Sequence, residues 1–245
     1  MTRGRARSFG PVAGLYDRYR PAPPAELARE LGAVEGLDVL DLAAGTGIVT
    51  RYLLARGARV SAVEPDDEMR AVLERQSPGV TALSGAAEAI PLGDSTFDLV
   101  VTSSAWHWFR QPDATQEIAR VLRDGGRLAV LGNGFDRSHE WLEDLAALRE
   151  PGDQSWSARR AHEAAADLEG PFDDVRTITI DWTWTRSIEQ LVGLFHTYSG
   201  VITRPAPEKE RLEALVREEL ERLAPNGSID VPMTLRGVLA TRRPR

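Results

Sequence analysis

Two rhythms of apolar and polar residues alternate along the chain. Short, nearly continuous apolar runs recur at Leu37 to Leu42, Arg59 to Glu64, Val80 to Leu83, Phe97 to Thr102 and Arg127 to Leu131. Runs of this kind predict strands buried on both faces of a parallel sheet. Segments with helical spacing separate them: Ile48 towards Gly57, Asp67 to about Gln76, and Asp113 to about Gly125-Gly126. Gln116 is placed to complete a capping box at the start of the third of these helices. Strands alternating with helices predict a doubly wound α/β sheet, with ligands held at the C-terminal strand ends.

The second half is less regular. Helices are expected at Trp141 to Leu148 and Ala158 to Leu168, with a loop at Pro151 to Ser157. Asp174 to Trp184 reads as a strand, through Val175, Ile178, Ile180, Trp182 and Trp184. Ile188 to Phe195 is helical, and Glu208 to Leu223 is amphipathic, with Leu212, Leu215, Val216, Leu220 and Leu223 on one side. Asp230 to Thr241 supplies the last strand. At the other end, residues 1–10 read as a leader, and Pro21, Pro23 and Pro24 open a helix over Ala25 to Leu31.

Composition narrows the function. The 245 residues suffice for one substantial α/β domain. A net charge of −7 leaves no basic footprint for nucleic acid. Having no cysteine removes disulfides, thiolate metal sites and a cysteine nucleophile, and fits a cytoplasmic setting. No apolar run approaches the ~20 residues of a membrane helix. Met1 to Arg7 is basic but no apolar core follows, so secretion is not expected. No histidine pair has metal-ligand spacing, so no metal is expected. Nothing in the pattern speaks to oligomeric state.

The candidate chemistry centres on Asp41 to Gly47, a strand, glycine turn and helix that reads as a nucleotide-binding βα unit. Thr50 stands where a dinucleotide fingerprint carries its third glycine. Asp41 at the strand tip would repel a pyrophosphate and would suit a cationic amine. The segment resembles motif I of the class I S-adenosylmethionine-dependent methyltransferases, D/E-x-G-x-G-x-G, with Ala43 in place of the first glycine. The resemblance implies a Rossmann-like, mostly parallel, seven-stranded sheet with a small helical cap. It also implies S-adenosylmethionine as cofactor, contacted by Asp41, Ala43, Ala44, Gly45, Thr46 and Gly47. Glu64 would accept both ribose hydroxyls, with Pro65 and Met69 beside it.

Further segments extend the likeness. Ala86-Ala87-Glu88-x-Ile90-Pro91-Leu92 resembles the family's adenine-framing D-A-E-x-L-P-F, with Ala86 where an acid is usual. Ser103 to Phe109 resembles the S-x-x-x-H-W-F segment of the type-11 small-molecule group. There Ser103 would face the cofactor and His107 is the candidate base. Tyr16-Asp17-x-x-Arg20-Pro21 resembles the group's Y-D-x-x-R-P lid. Tyr16 would cover the cofactor, and Arg20 would bind its carboxylate or an acidic acceptor. Thr197-Tyr198-Ser199 resembles a cap segment facing the acceptor, so Trp106, Trp108 and Tyr198 are expected to line an apolar acceptor pocket. His139 and His162 are expected at the surface.

The implied layout is a single domain over residues 1–245: lid helices at 1–32, a cofactor-binding core at 33–135 and a helical cap at 185–226 before the last strand. The expected activity is methyl transfer from S-adenosylmethionine to a small-molecule acceptor, at oxygen. Two other readings stay open. One is a protein that keeps the cofactor fold without methyl transfer. The other is a nicotinamide-dependent oxidoreductase, opposed by Asp41 and the missing third glycine.

Overall fold

A computed structural model describes residues 9–149 and 158–244. The leader before Phe9 and the loop expected at Pro151 to Ser157 lie outside the described residues. In chain order, α1 (Ala13–Tyr19) and α2 (Leu27–Leu31) precede β1 (Asp38–Leu42), α3 (Ile48–Leu54), β2 (Arg59–Val63), α4 (Asp67–Gln76) and β3 (Thr81–Leu83). Then come β4 (Phe97–Ser103), α5 (Asp113–Val121), β5 (Leu122–Phe135), α6 (Glu140–Arg149) and α7 (Ala158–Asp167). The chain closes with β6 (Phe172–Ser187), α8 (Ile188–Phe195), α9 (Ser199–Ile202), α10 (Ala206–Leu223) and β7 (Ser228–Arg242).

The seven strands form one sheet in the order β3-β2-β1-β4-β5-β7-β6. β1 to β5 run parallel, and β7 is antiparallel to both β5 and β6. This is the doubly wound α/β arrangement that the alternation predicts, and the Rossmann-like, mostly parallel, seven-stranded sheet that the resemblance implies. Its two faces are covered by different helices, which the period of two in β1 makes plain. Leu40 and Leu42 point to one face, where they meet Ile118 of α5 and Ala164 of α7. Val39 points to the other, against Leu27, Leu31 and Leu53. Asp41 shares the parity of Val39, so it faces α3. A third cluster, around Leu191, Leu194, Phe195, Val216 and Met233, packs the helices between β6 and β7 onto the sheet's end.

Five local expectations are corrected. α5 has Pro112 at its N-cap with no side-chain bond there, so Gln116 closes no capping box. Instead the Gln111 side chain accepts from the Thr115 amide and hydroxyl. α5 also ends at Val121, because Leu122 is already paired with Phe97 and the ladder then skips to Arg127 opposite Leu99. Val175 is exposed, since a register shift between Asp173 and Arg176 puts it out of phase with Ile178. Leu215 is 44% exposed: α10 buries the narrower stripe of Leu212, Val216 and Leu220. Gly10, placed in the leader by its sequence, is buried against Asp66 and Glu68.

Candidate functional site

The C-terminal tip of β1 carries the most constrained acid in the site. Asp41 is 1% exposed, and its Oδ2 accepts from the Thr50 hydroxyl of α3 at 2.6 Å. Burial pushes its carboxyl up to about 7; the bonds from Thr50 pull the other way and the Glu64 charge adds to the rise. A group so placed is ready to ionise against an incoming cation.

The turn after Asp41 bends through left-handed backbone at Ala43 (φ 58°), Gly45 (φ 58°) and Gly47 (φ 82°). Gly47 has a second constraint: a Cβ there would lie 2.8 Å from Leu73 Cγ of α4. The Gly45 amide donates to Glu64 Oε2 (2.8 Å), and the Asp66 amide to Glu64 Oε1 (2.9 Å). Glu64 therefore joins the turns after β1 and β2. It is buried, which raises its carboxyl above the ordinary range against the pull of those two amides. Met69 is buried beside it, its Cε 3.4 Å from where a Gly45 Cβ would stand, while Pro65 is half-buried.

The N-terminal helix forms the opposite wall. Phe9, Ala13 and Tyr16 pack on Met69 and Val72 of α4. Arg51 Nη2 of α3 binds Asp17 Oδ1 at 2.6 Å. A pocket results, lined by Tyr16, Arg20, Pro23, Asp41, the Ala43 to Thr46 turn, Ser103, Ser104 and Asn133.

Other expected site residues are placed elsewhere. Trp106 is a correction: it is 5% exposed in the core, donating from Nε1 to Asp167 Oδ2 at 2.9 Å, and it lines no part of this pocket. The reason is that the turn after β4 folds it inward against Phe109. His107 and Trp108 sit on the same turn with ring centroids 4.5 Å apart; His107 is exposed and Trp108 half-buried. Ala86 is exposed and bridged to Ala89, Ala87 is buried in the core, and Glu88 Oε1 accepts from the Arg110 amide. Tyr198 lies 4.2 Å from the Arg20 guanidinium. His139 and His196 pair with Asp136 and Glu213 respectively.

Sequence reading overlooked Ser104 and Asn133 as lining residues, and in the Thr197-Tyr198-Ser199 segment it missed the bonds from Arg20 to Thr197. Ser104 follows the β4 tip in left-handed backbone (φ 57°). Asn133 is the polar break at the end of the apolar β5, a signal of the kind Asp41 gives in β1. It receives the Trp182 indole N–H and donates to the Ala22 carbonyl.

The donor set suits S-adenosylmethionine on three counts. Asp41 offers an acid to an amine. The turn bears its backbone through glycines. Thr46 Oγ1 lies buried in the lining with no hydrogen-bond partner among the described residues, so a polar ligand atom would satisfy it.

Comparisons with known proteins agree with this chemistry. Residues 40–130 match the family model described as a methyltransferase domain. An uncharacterized methyltransferase of Mycobacterium tuberculosis is 37% identical over 89% of this chain and 87% of its own length. A malonyl-[acyl-carrier protein] O-methyltransferase of Enterobacter lignolyticus is 30% identical over 86% of each chain. Among solved structures, a candidate type II methyltransferase from Anaeromyxobacter dehalogenans superposes with a TM-score of 0.67, over 92% of this chain and 98% of that one, at 23% identity.

Proposed function

The chain belongs to the class I S-adenosylmethionine-dependent methyltransferases, and on that premise we propose that it methylates a small-molecule acceptor at a carboxylate oxygen. One observation carries the reading of the site: Asp41, an acid, and Arg20, a guanidinium cation, line the same pocket. Asp41 takes the amine of the cofactor's amino-acid end and Arg20 takes its carboxylate, through the donors of a guanidinium edge. Glu64 turns a remaining lone pair to the ribose, and Tyr16 covers the site. The cofactor supplies an electrophilic methyl on sulfur; the protein's work is to align, desolvate and close.

The choice of oxygen rests on two supports. A relative similar over most of its length is named for O-methylation. A carboxylate acceptor is already ionised and needs no proton removed, which agrees with an exposed His107 outside the described lining. A hydroxyl acceptor would instead call on His107 as base. Incubating the protein with a methyl-labelled donor and panels of carboxylic acids, alcohols and amines tests this. Label in base-labile methyl esters, undiminished in His107→Ala, is the expected result. Label only in amines, or a loss of about 10²-fold in His107→Ala at every pH, contradicts it.

A further inference from the structure

Arg20 is held by the cap rather than by its own helix. Its Nε donates to Thr197 Oγ1 at 2.9 Å and its Nη2 to the Thr197 carbonyl at 2.8 Å. Thr197 lies 177 residues further along the chain, between α8 and α9, and is fully buried. Its hydroxyl has a single proton, already donated to the Leu194 carbonyl at 2.6 Å. The oxygen can therefore only accept from Arg20, and its lone pairs are fixed in direction. The rings of Tyr16 and Tyr198 flank the guanidinium at 4.8 and 4.2 Å from its central carbon. One edge of the fork is thus occupied by Thr197. Among the described residues none accepts from Nη1.

The helices bearing these groups touch directly. Gly193 of α8 lies under the Tyr19 ring of α1, and a Cβ at 193 would come within 2.5 Å of Tyr19 Cε2. No side chain separates lid from cap there, so the Thr197 contact is short enough to act as a fixed anchor.

We propose that Thr197 is a positioning residue for the cofactor site: it holds Arg20 by the Nε edge so that the Nη1 edge meets the carboxylate of the cofactor's amino-acid end. The inference rests on the assignment of Arg20 given above, and it makes cofactor binding depend on a cap residue outside the pocket lining. Thr197 touches no ligand and acts only through Arg20.

Calorimetry with two probes tests it. S-adenosylhomocysteine carries the amino-acid end, whereas 5′-methylthioadenosine has the nucleoside and sulfur without it. Thr197→Val, close in shape but without the hydroxyl, should weaken S-adenosylhomocysteine about tenfold and leave methylthioadenosine unchanged. Thr197→Ser should restore the affinity. In an Arg20→Gln background, Thr197→Val should produce no further loss. If the valine variant does not fold, Thr197→Ala serves in its place. Equal weakening of both probes would mean a general loosening of the lid and would overturn the inference, as would unchanged binding of S-adenosylhomocysteine. Failure of the wild type to bind S-adenosylhomocysteine would instead overturn the cofactor site itself, and Arg20→Gln without effect would overturn the assignment of Arg20.

Discussion

Thr50 donates its hydroxyl to Asp41 across 2.6 Å, from the position at which a dinucleotide fingerprint has its third glycine. The exchange of a glycine for a hydroxyl has a physical reason. A dinucleotide site leaves this corner bare for close helix packing, whereas here a buried carboxylate must be satisfied. Asp41 without Thr50 would have its neutral form favoured still more.

From this follows a pH-dependent trade between stability and binding. An unfolded Asp41 ionises near 3.8 and the folded one near 7. Between these values the folded state keeps a proton that the unfolded state has lost, so stability falls as pH rises, and the full cost is present above about pH 7. Asp41→Asn removes that cost and retains an acceptor for Thr50. It should raise unfolding free energy by roughly 2–4 kcal/mol at pH 8 and by little at pH 4. The same variant should lose affinity for S-adenosylhomocysteine. Urea titrations at both pH values check the first part, and equal shifts at the two would refute it.

The sequence assigns Glu64 to the ribose hydroxyls alone, yet each of its oxygens holds a backbone amide. Glu64→Gln offers one acceptor for two donors and turns an N–H₂ toward the other amide. It should therefore cost about 1–3 kcal/mol of stability as well as cofactor affinity. A variant with native melting behaviour and weakened binding would show that Glu64 serves the ligand alone.

Ala43 takes a left-handed φ of 58° where the family motif has glycine. Ala43→Gly should relieve this strain and stabilise the protein by about 1 kcal/mol, less the added freedom of the unfolded chain. Chemical denaturation giving a lower midpoint would contradict it.

The sequence made the parallel core legible because β1 to β4 and their helices obey simple periods, and α8 begins and ends where its pattern does, at Ile188 and Phe195. It misled where one residue's context is non-local. Trp106 has the composition of a ligand-facing aromatic, but its indole finds Asp167, a partner 61 residues away. Thr197 stands in a segment whose likeness points to the acceptor; only the meeting of α1 with α8 shows that it holds Arg20. Gln116 stands three residues after Asp113, the spacing of a capping box, but the N-cap is Pro112, which has no side-chain acceptor and leaves Gln116 one position too far along.

The central claim, that Asp41 receives the cofactor's amine in this pocket, is tested most directly by titrating S-adenosylhomocysteine calorimetrically at pH 6 in buffers of different ionisation enthalpy. At that pH Asp41 is mostly protonated, and a cation bound beside it must expel the proton. The account predicts one ligand per chain and release of about one proton, falling towards none at pH 8. Binding at pH 6 without proton release, or no binding up to about 1 mM ligand, would contradict it.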